Sequence, residues 1–305
     1  MTRNRIWLRA LATCAVLLVG GGNGFERAHA GERMEKILAN KQLKLGYRSD
    51  APPFSSEKDG RAGGFTVELC VEIGKRMKAQ LGLSDFSASL VRVDTTDRFD
   101  ALARGDIDLL CGATTATLTR REKVSFSVPT FVTGVSAVVG KDAPNLLREV
   151  LIENSPAAFS DAATSEAIKG KKFGVRAGTT AAEWLKASRV ADATGEPLTE
   201  ISDHADGIGA VSEGRLDAYF ADKAILVATI GQTGSKDKVV VSKKAFTNEP
   251  YAIAIPRDDE DLRLQVDRAL SGVYRSGKII EILTRYFGSP TADIALFYSF
   301  ATIPE

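Results

Sequence analysis

Histidine, cysteine and methionine are scarce in this 305-residue chain, with two, three and three copies. So few histidines and cysteines argue against a zinc site and against a miniprotein built on disulfides. Charge of one sign is lacking too: 40 basic residues stand against 39 acidic ones, a formal net charge of +1. Without a basic surplus there is no electrostatic footprint for nucleic acid or for an anionic membrane. Beyond the N-terminus no segment approaches the roughly 18 to 20 uninterrupted apolar residues of a transmembrane helix. Familiar catalytic signatures are missing as well. Gly272-Val273-Tyr274-Arg275-Ser276-Gly277-Lys278-Ile279 nearly spells a phosphate loop, yet Ile279 stands where a magnesium-holding hydroxyl belongs, and the stretch joins two helical segments. Gly207-Ile208-Gly209 lacks the third glycine of a dinucleotide fingerprint, and no Gly-x-Ser-x-Gly elbow occurs. Nothing calls for a cofactor or a metal. The composition, 44% hydrophobic and 26% charged with 27 glycines, is that of a globular protein.

Residues 1–30 read as a secretory signal peptide. Arg3, Arg5 and Arg9 form the basic region, residues 10–19 the apolar core, and Ala28-His29-Ala30 the small-x-small cleavage site. The apolar run is too short for a membrane anchor. Cys14 is a poor lipidation site, because Thr13 precedes it and the apolar run continues beyond it. Cleavage after Ala30 leaves 275 residues, with 36 basic against 38 acidic, and His204, Cys70 and Cys111 as the remaining histidine and cysteines.

A chain of this length suits two domains, and its pattern alternates strand and helix. Residues 43–47 alternate as a strand. Phe65, Leu69, Ile73, Met77 and Leu81 recur every fourth residue, the stripe of a helix packed on a sheet. Residues 86–93 read as a strand, Thr95 or Thr96 as the cap of a helix stopping at Gly105, and 107–110 as the next strand. Such alternation predicts a largely parallel sheet with its site on the loops after the strands. A weak internal repeat accompanies it. Lys44-Leu45-Gly46-Tyr47-Arg48 is echoed by Lys172-Phe173-Gly174-Val175-Arg176, and Gly105-Asp106-Ile107-Asp108 by Gly214-Arg215-Leu216-Asp217. Both pairs in the same order predict two lobes of similar build. Extended runs at 130–140, containing Gly134, and 245–255, broken by Pro250, read as two hinge crossings. The resulting division is 31–139 with 246–305 as lobe 1 and 140–245 as lobe 2. Residues 144–165 read as a surface connection, 262–274 and 278–287 as helices, and 289–305 as a tail that docks through Ile294, Phe297, Tyr298 and Phe300. In an oxidising compartment a Cys70–Cys111 disulfide is permitted, and two buried thiols that never meet remain the alternative; their common lobe favours the bond.

The stretch Cys111-Gly112-Ala113-Thr114-Thr115-Ala116-Thr117-Leu118-Thr119-Arg120 is the most informative. A strand ends, a small-residue loop exposes backbone N–H groups and hydroxyls, and an arginine follows. Such a loop can receive a carboxylate, with Arg120 supplying a planar fork. It can equally be a loop capped by Thr114 or Thr115 with Arg120 a solvated charge.

From about residue 43 to 288 the chain resembles the family 3 extracellular solute-binding proteins, the polar amino-acid-binding proteins of bacterial ABC importers. The resemblance rests on Gly64-Phe65-Thr66-Val67-Glu68-Leu69, Gly105-Asp106-Ile107-Asp108, Thr114-Thr115 with Arg120-Arg121-Glu122 and Phe126-Ser127, Gly178-Thr179-Thr180, Gly214-Arg215-Leu216-Asp217-Ala218-Tyr219, Asp222 and Ser276-Gly277-Lys278. It implies the type II periplasmic-binding-protein fold, an α/β fold of two similar lobes joined by two extended hinge strands with a ligand cleft between. It further implies that Arg120 clamps an amino acid α-carboxylate flanked by Ala113 and Thr115, that Thr180, beside Thr179, meets it from the second lobe, and that Asp222 pairs with the α-ammonium. A zwitterion leaving water needs both ends matched, so the implied chemistry is coherent.

The glutamate/aspartate-binding subgroup carries arginines at the positions of Arg48 and Arg98 and a histidine at that of His204, and all three are present. Ala113 departs from it, standing where that subgroup has serine. The resemblance therefore implies a periplasmic, monomeric, non-enzymatic receptor that closes on an acidic L-amino acid and delivers it to permease subunits served by a separate ATPase. The alternatives from other classes are a cyclohexadienyl or arogenate dehydratase-like enzyme on the same fold, and a receptor feeding a signalling partner. An enzyme needs an acid near the leaving group, and the ligand-facing motifs supply no glutamate for that role.

Overall fold

The computed structural model describes residues 31–153, 162–188 and 190–305; the expected signal peptide lies outside the described residues. Strand Gln42–Tyr47 buries residues of both faces, as a central strand covered on two sides must. It runs between parallel strands Ser87–Arg92 and Leu109–Leu110. Glu249–Pro256 and Val124–Thr133 complete this five-stranded sheet by antiparallel pairing. Helix Phe65–Gln80 covers it with the expected stripe, Phe65, Leu69, Ile73 and Met77 all buried. Cys70 on that helix is disulfide-bonded to Cys111 at the end of Leu109–Leu110, tying the helix to the loop that opens the site.

A second five-stranded sheet has the order Thr199–Ile201, Phe173–Arg176, Ala218–Asp222, Val135–Gly140, Val239–Val241. Separate apolar cores pack on the two sheets, around Leu45, Ile73 and Ile253 in the first and Val139, Phe173 and Phe220 in the second. The chain passes from one sheet to the other at Gly134 and returns over residues 242–248. The two crossings lie so close that a Cβ on Gly134 would sit 1.9 Å from the Thr247 carbonyl oxygen. Only glycine fits there.

The internal repeat has a packing cause. A Cβ on Gly46 would lie 2.4 Å from Ile107 Cδ1, and one on Gly174 would lie 2.4 Å from Leu216 Cδ1. Asp108 accepts the Lys44 N–H at 2.7 Å, and Asp217 accepts the Lys172 N–H at 2.9 Å. Each lobe thus uses a strand glycine to admit a branched side chain from the next strand, and an aspartate to fasten the strand's start.

Several local expectations change. Neither Thr95 nor Thr96 caps helix Arg98–Arg104, whose N-cap position is Asp97; the Thr95 hydroxyl instead accepts from Arg176 across the cleft. The segment expected as a surface connection sends Leu147, Val150, Leu151 and Ile152 into the second core. The C-terminal helix Ala292–Ala301 docks through Tyr298, whose hydroxyl donates to Thr130 O at 2.8 Å, whereas Phe300 is 81% exposed. Residues 260–287 form the two expected helices, Glu260–Arg275 and Lys278–Phe287.

Gly46→Ala should destabilise the protein by about 1–3 kcal/mol through overpacking. Ile107→Val, which deletes the clashing methyl, should recover part of that loss in the double variant. Denaturant unfolding of the four proteins in that cycle measures the coupling, and additive losses would disprove the contact's role.

Candidate functional site

The strand ends and helix starts of both sheets converge on one cavity of about 340 Å³ of empty space, its mouth included. Arg48, Arg98, Ala113, Thr115, Arg120, Thr179, Thr180, His204 and Asp222 line it, together with Ala181, Ala221 and Ile225. Thr114, singled out with them in the sequence, does not line it; it is fully buried, and its carbonyl accepts the Ala252 N–H.

Arg120 lies in the single-turn helix Leu118–Arg121, whose N-cap Thr117 accepts the Arg120 N–H. One guanidinium nitrogen donates to Thr115 O at 3.1 Å, and the other lies 3.5 Å from Glu183, a carboxylate on the opposite lobe that is 60% exposed. Opposite stands the N-terminus of helix Thr180–Ala187. The Thr179 hydroxyl accepts from Ala182 N as its cap and donates to Arg176 O, so its side chain is spent on the helix start. Orphan N–H groups and the positive end of the helix dipole suit an anion there.

The threonine hydroxyls are committed. Thr115 and Thr180 both donate to Glu249 Oε2 at 2.7 Å, and Thr247 donates to Glu249 Oε1 at 2.9 Å. A hydroxyl has one proton to give, so toward the cavity Thr115 and Thr180 present lone pairs. Beside them the Asp222 Oδ1 lacks a well-formed hydrogen bond. Although Asp222 holds the N-cap position of helix Lys223–Thr233, its side chain makes no capping bond. These acceptors together make a place for an ammonium.

The third corner is cationic. Arg98, only 3% exposed, donates one hydrogen bond, to Gly178 O at 3.0 Å across the cleft, and its Nε has no partner. It stacks on Phe99 at 4.4 Å, with Arg120 over the same ring at 5.5 Å. Burial first, then the charges of Arg48 and Arg120, push the Arg98 guanidinium well below its usual pKa. Arg48 is better supplied: it makes a fork with Asp50, Nε to Oδ1 and Nη2 to Oδ2, both 3.1 Å. His204 begins helix His204–Ser212, its Nδ1 2.8 Å from the Tyr219 hydroxyl and its buried Nε2 unpartnered. Burial, then Arg48, hold its pKa down to about 3, so the ring is neutral. Gly207, read from the sequence only as a failed fingerprint, explains the pairing: a Cβ there would strike the Tyr219 ring at 2.5 Å.

Asp50, Phe99 and Glu249 escaped the sequence reading, and Tyr219 entered it only as the last residue of a resemblance motif. Glu249 had a signal, an acid opening an apolar strand, and Asp50 stands two residues after an arginine already singled out.

Two α/β lobes around a polar cleft, crossed twice by the chain, define the type II architecture of two-lobed binding proteins. Residues 43–289 match the bacterial extracellular solute-binding proteins, family 3, and the chain belongs to that family. It is 26% identical over 274 residues to an L-glutamate/L-aspartate-binding protein of Pseudomonas aeruginosa, covering 89% of this chain and 85% of the relative. It is 25% identical over 280 residues to an L-cystine-binding protein of Escherichia coli, covering 92% and 94%. Among solved structures, an ancestral arginine-binding protein bound to glutamine superposes with a TM-score of 0.67 at 27% identity, over 82% of this chain and 99% of that one.

Two buried groups give the cleft opposed pH dependences. Burial, then the neighbouring Glu249 charge, push Asp222 up to about 7 from an ordinary 3.8. Its native state therefore holds a proton the unfolded chain has lost, and its stabilising contribution fades as pH rises through 7. His204, down at about 3 from 6.5, works the other way: its contribution is present above 6.5 and is lost as pH falls toward 3. Each slope is at most about 1.4 kcal/mol per pH unit. Asp222→Asn should leave a stability that rises between pH 4 and about 6.5, and His204→Gln one that falls from pH 4 to about 7. Denaturant unfolding across that range reads both; parallel profiles for the two variants would refute the assignment.

Proposed function

We propose that this chain is a periplasmic receptor that closes its two lobes on an acidic L-amino acid, glutamate or aspartate, and presents the closed form to the membrane subunits of an ABC importer. The observation carrying the acidic side chain is Arg98: a buried guanidinium with one neutral acceptor, an idle Nε and two arginines beside it. A buried cation without a counter-ion costs several kcal/mol, and a ligand's second carboxylate offsets that cost where an amide or alkyl group does not. The α-carboxylate falls to Arg120 and the start of helix Thr180–Ala187, with the backbone of Ala113 and Thr115 alongside. The α-ammonium falls to Asp222 and the outward lone pairs of Thr115. The similarity to an L-glutamate/L-aspartate-binding protein supports the same reading.

No bond of the ligand changes in this scheme. Contacts from both lobes made at once shift the population toward the closed form. The expected division, 31–139 with 246–305 and 140–245, shifts by a few residues in this proposal, to 31–133 with 249–305 and 135–241, because strand Val135–Gly140 pairs in the second sheet. Export through residues 1–30, action as a monomer and partnership with a permease and a separate ATPase complete the proposal.

Calorimetry against the twenty amino acids tests it. The wild type should bind glutamate or aspartate most tightly. Arg120→Ala should lose about 3 kcal/mol or more for every amino acid, because it removes the common carboxylate's partner. Arg98→Ala should weaken acidic ligands at least about tenfold and glutamine far less. Equal losses for acidic and neutral ligands would refute the side-chain assignment.

A further inference from the structure

The repeat that builds the two lobes places an arginine at the same point in each: Arg48 follows the first strand of lobe 1, and Arg176 ends the matching strand of lobe 2. Both meet one carboxylate, Asp50. Arg48 holds it by the two-bond fork, and Arg176 Nη2 approaches its Oδ2 at 2.8 Å from across the cleft. Arg176 is steadied on that side by Thr95, whose hydroxyl accepts from its Nε and Nη2 at 3.0 and 2.8 Å. All three charged side chains are nearly enclosed, and the cluster abuts His204, which feels the charges of Arg48, Asp50 and Arg176.

We propose that Asp50 is a specificity-determining residue: a resident carboxylate that neutralises Arg48 and Arg176, leaving Arg98 as the one arginine at the distal end of the cleft that still needs an anion. This deepens the acidic-ligand reading and rests on it. The resident anion lowers the positive potential at the ligand's side-chain terminus, so the site discriminates acid from amide through one guanidinium instead of three. It also repels a ligand whose side-chain end carries more negative charge than a single carboxylate. Because Asp50 belongs to one lobe and Arg176 to the other, the same contact bridges the cleft. A merely mechanical bridge and a charge-setting residue make different predictions, since the two partners carry opposite charges.

Asp50→Asn and Arg176→Gln break the same ion pair. If Asp50 sets charge, removing its negative charge raises the ratio of glutamate to glutamine affinity on the order of tenfold, and removing the positive charge of Arg176 lowers that ratio. Titration calorimetry of wild type and both variants with the two ligands reads the ratios, and thermal unfolding without ligand checks that each variant folds. Should Asp50→Asn fail to fold, Arg176→Gln alone decides by the direction of its shift. Ratios unchanged in the folded variants, with both affinities falling together, would overturn the proposal in favour of a purely mechanical bridge. A wild type that prefers neutral or basic amino acids would instead defeat the acidic-ligand reading, while opposite shifts in the two variants would still uphold the role of Asp50.

Discussion

Three guanidiniums enclosed in one small cleft, Arg48, Arg98 and Arg120, set the terms for everything around them. An enclosed cation is tolerable only when anions, acceptors or ring faces surround it. Each is supplied differently: Arg48 by a full fork with Asp50, Arg120 by the Thr115 carbonyl and a half-committed Glu183, Arg98 by one carbonyl and the face of Phe99. The gradient from satisfied to unsatisfied gives the cleft its polarity. Its most deprived member marks where a ligand's negative group is worth most.

Glu249 supplies the opposing constraint. It stands at the head of the returning hinge strand and collects hydroxyls from lobe 1, lobe 2 and the crossing itself, Thr115, Thr180 and Thr247. Those bonds orient two threonines of the ligand cleft so that they accept and no longer donate. In the proposed site, an acid outside the cavity wall thus sets which corner accepts an ammonium. The same three bonds join both lobes to the crossing, so the geometry of that corner is tied to how the two lobes sit on each other.

The fold was legible because its signals are periodic. The fourfold stripe from Phe65 to Met77, the strand at 43–47 and the Gly-x-x-Asp echoes each report a local packing demand, and the demand reappears in the structure as Gly46 against Ile107 and Gly174 against Leu216. Arg48, Arg98, Ala113, Thr115, Arg120, Thr179, Thr180, His204 and Asp222 were legible through a resemblance in which ordered motifs carry position, whereas Ala181, Ala221 and Ile225 were not, and Thr114 was wrongly included. What stayed hidden depends on contacts between distant segments. Asp50 gains its meaning only when Arg176, over a hundred residues later, folds onto it, and Glu249 only when three threonines from three segments reach it. A cap also misled: Thr95 has the right chemistry for a helix start, but a guanidinium from the other lobe is a stronger claimant for its oxygen than a backbone N–H.

His204 shows why a histidine among arginines need not add to their charge. Full burial and the nearby guanidiniums hold it neutral across the physiological range. One ring nitrogen, Nδ1, shares a hydrogen bond with the Tyr219 hydroxyl, and the other, Nε2, is buried without a partner in a ring that lines the cavity. A ring without charge does not distinguish acid from amide, so in the proposed site that distinction falls to the charged corner. Gly207 is part of the same device, since any larger residue would push the Tyr219 ring away from the histidine it fixes.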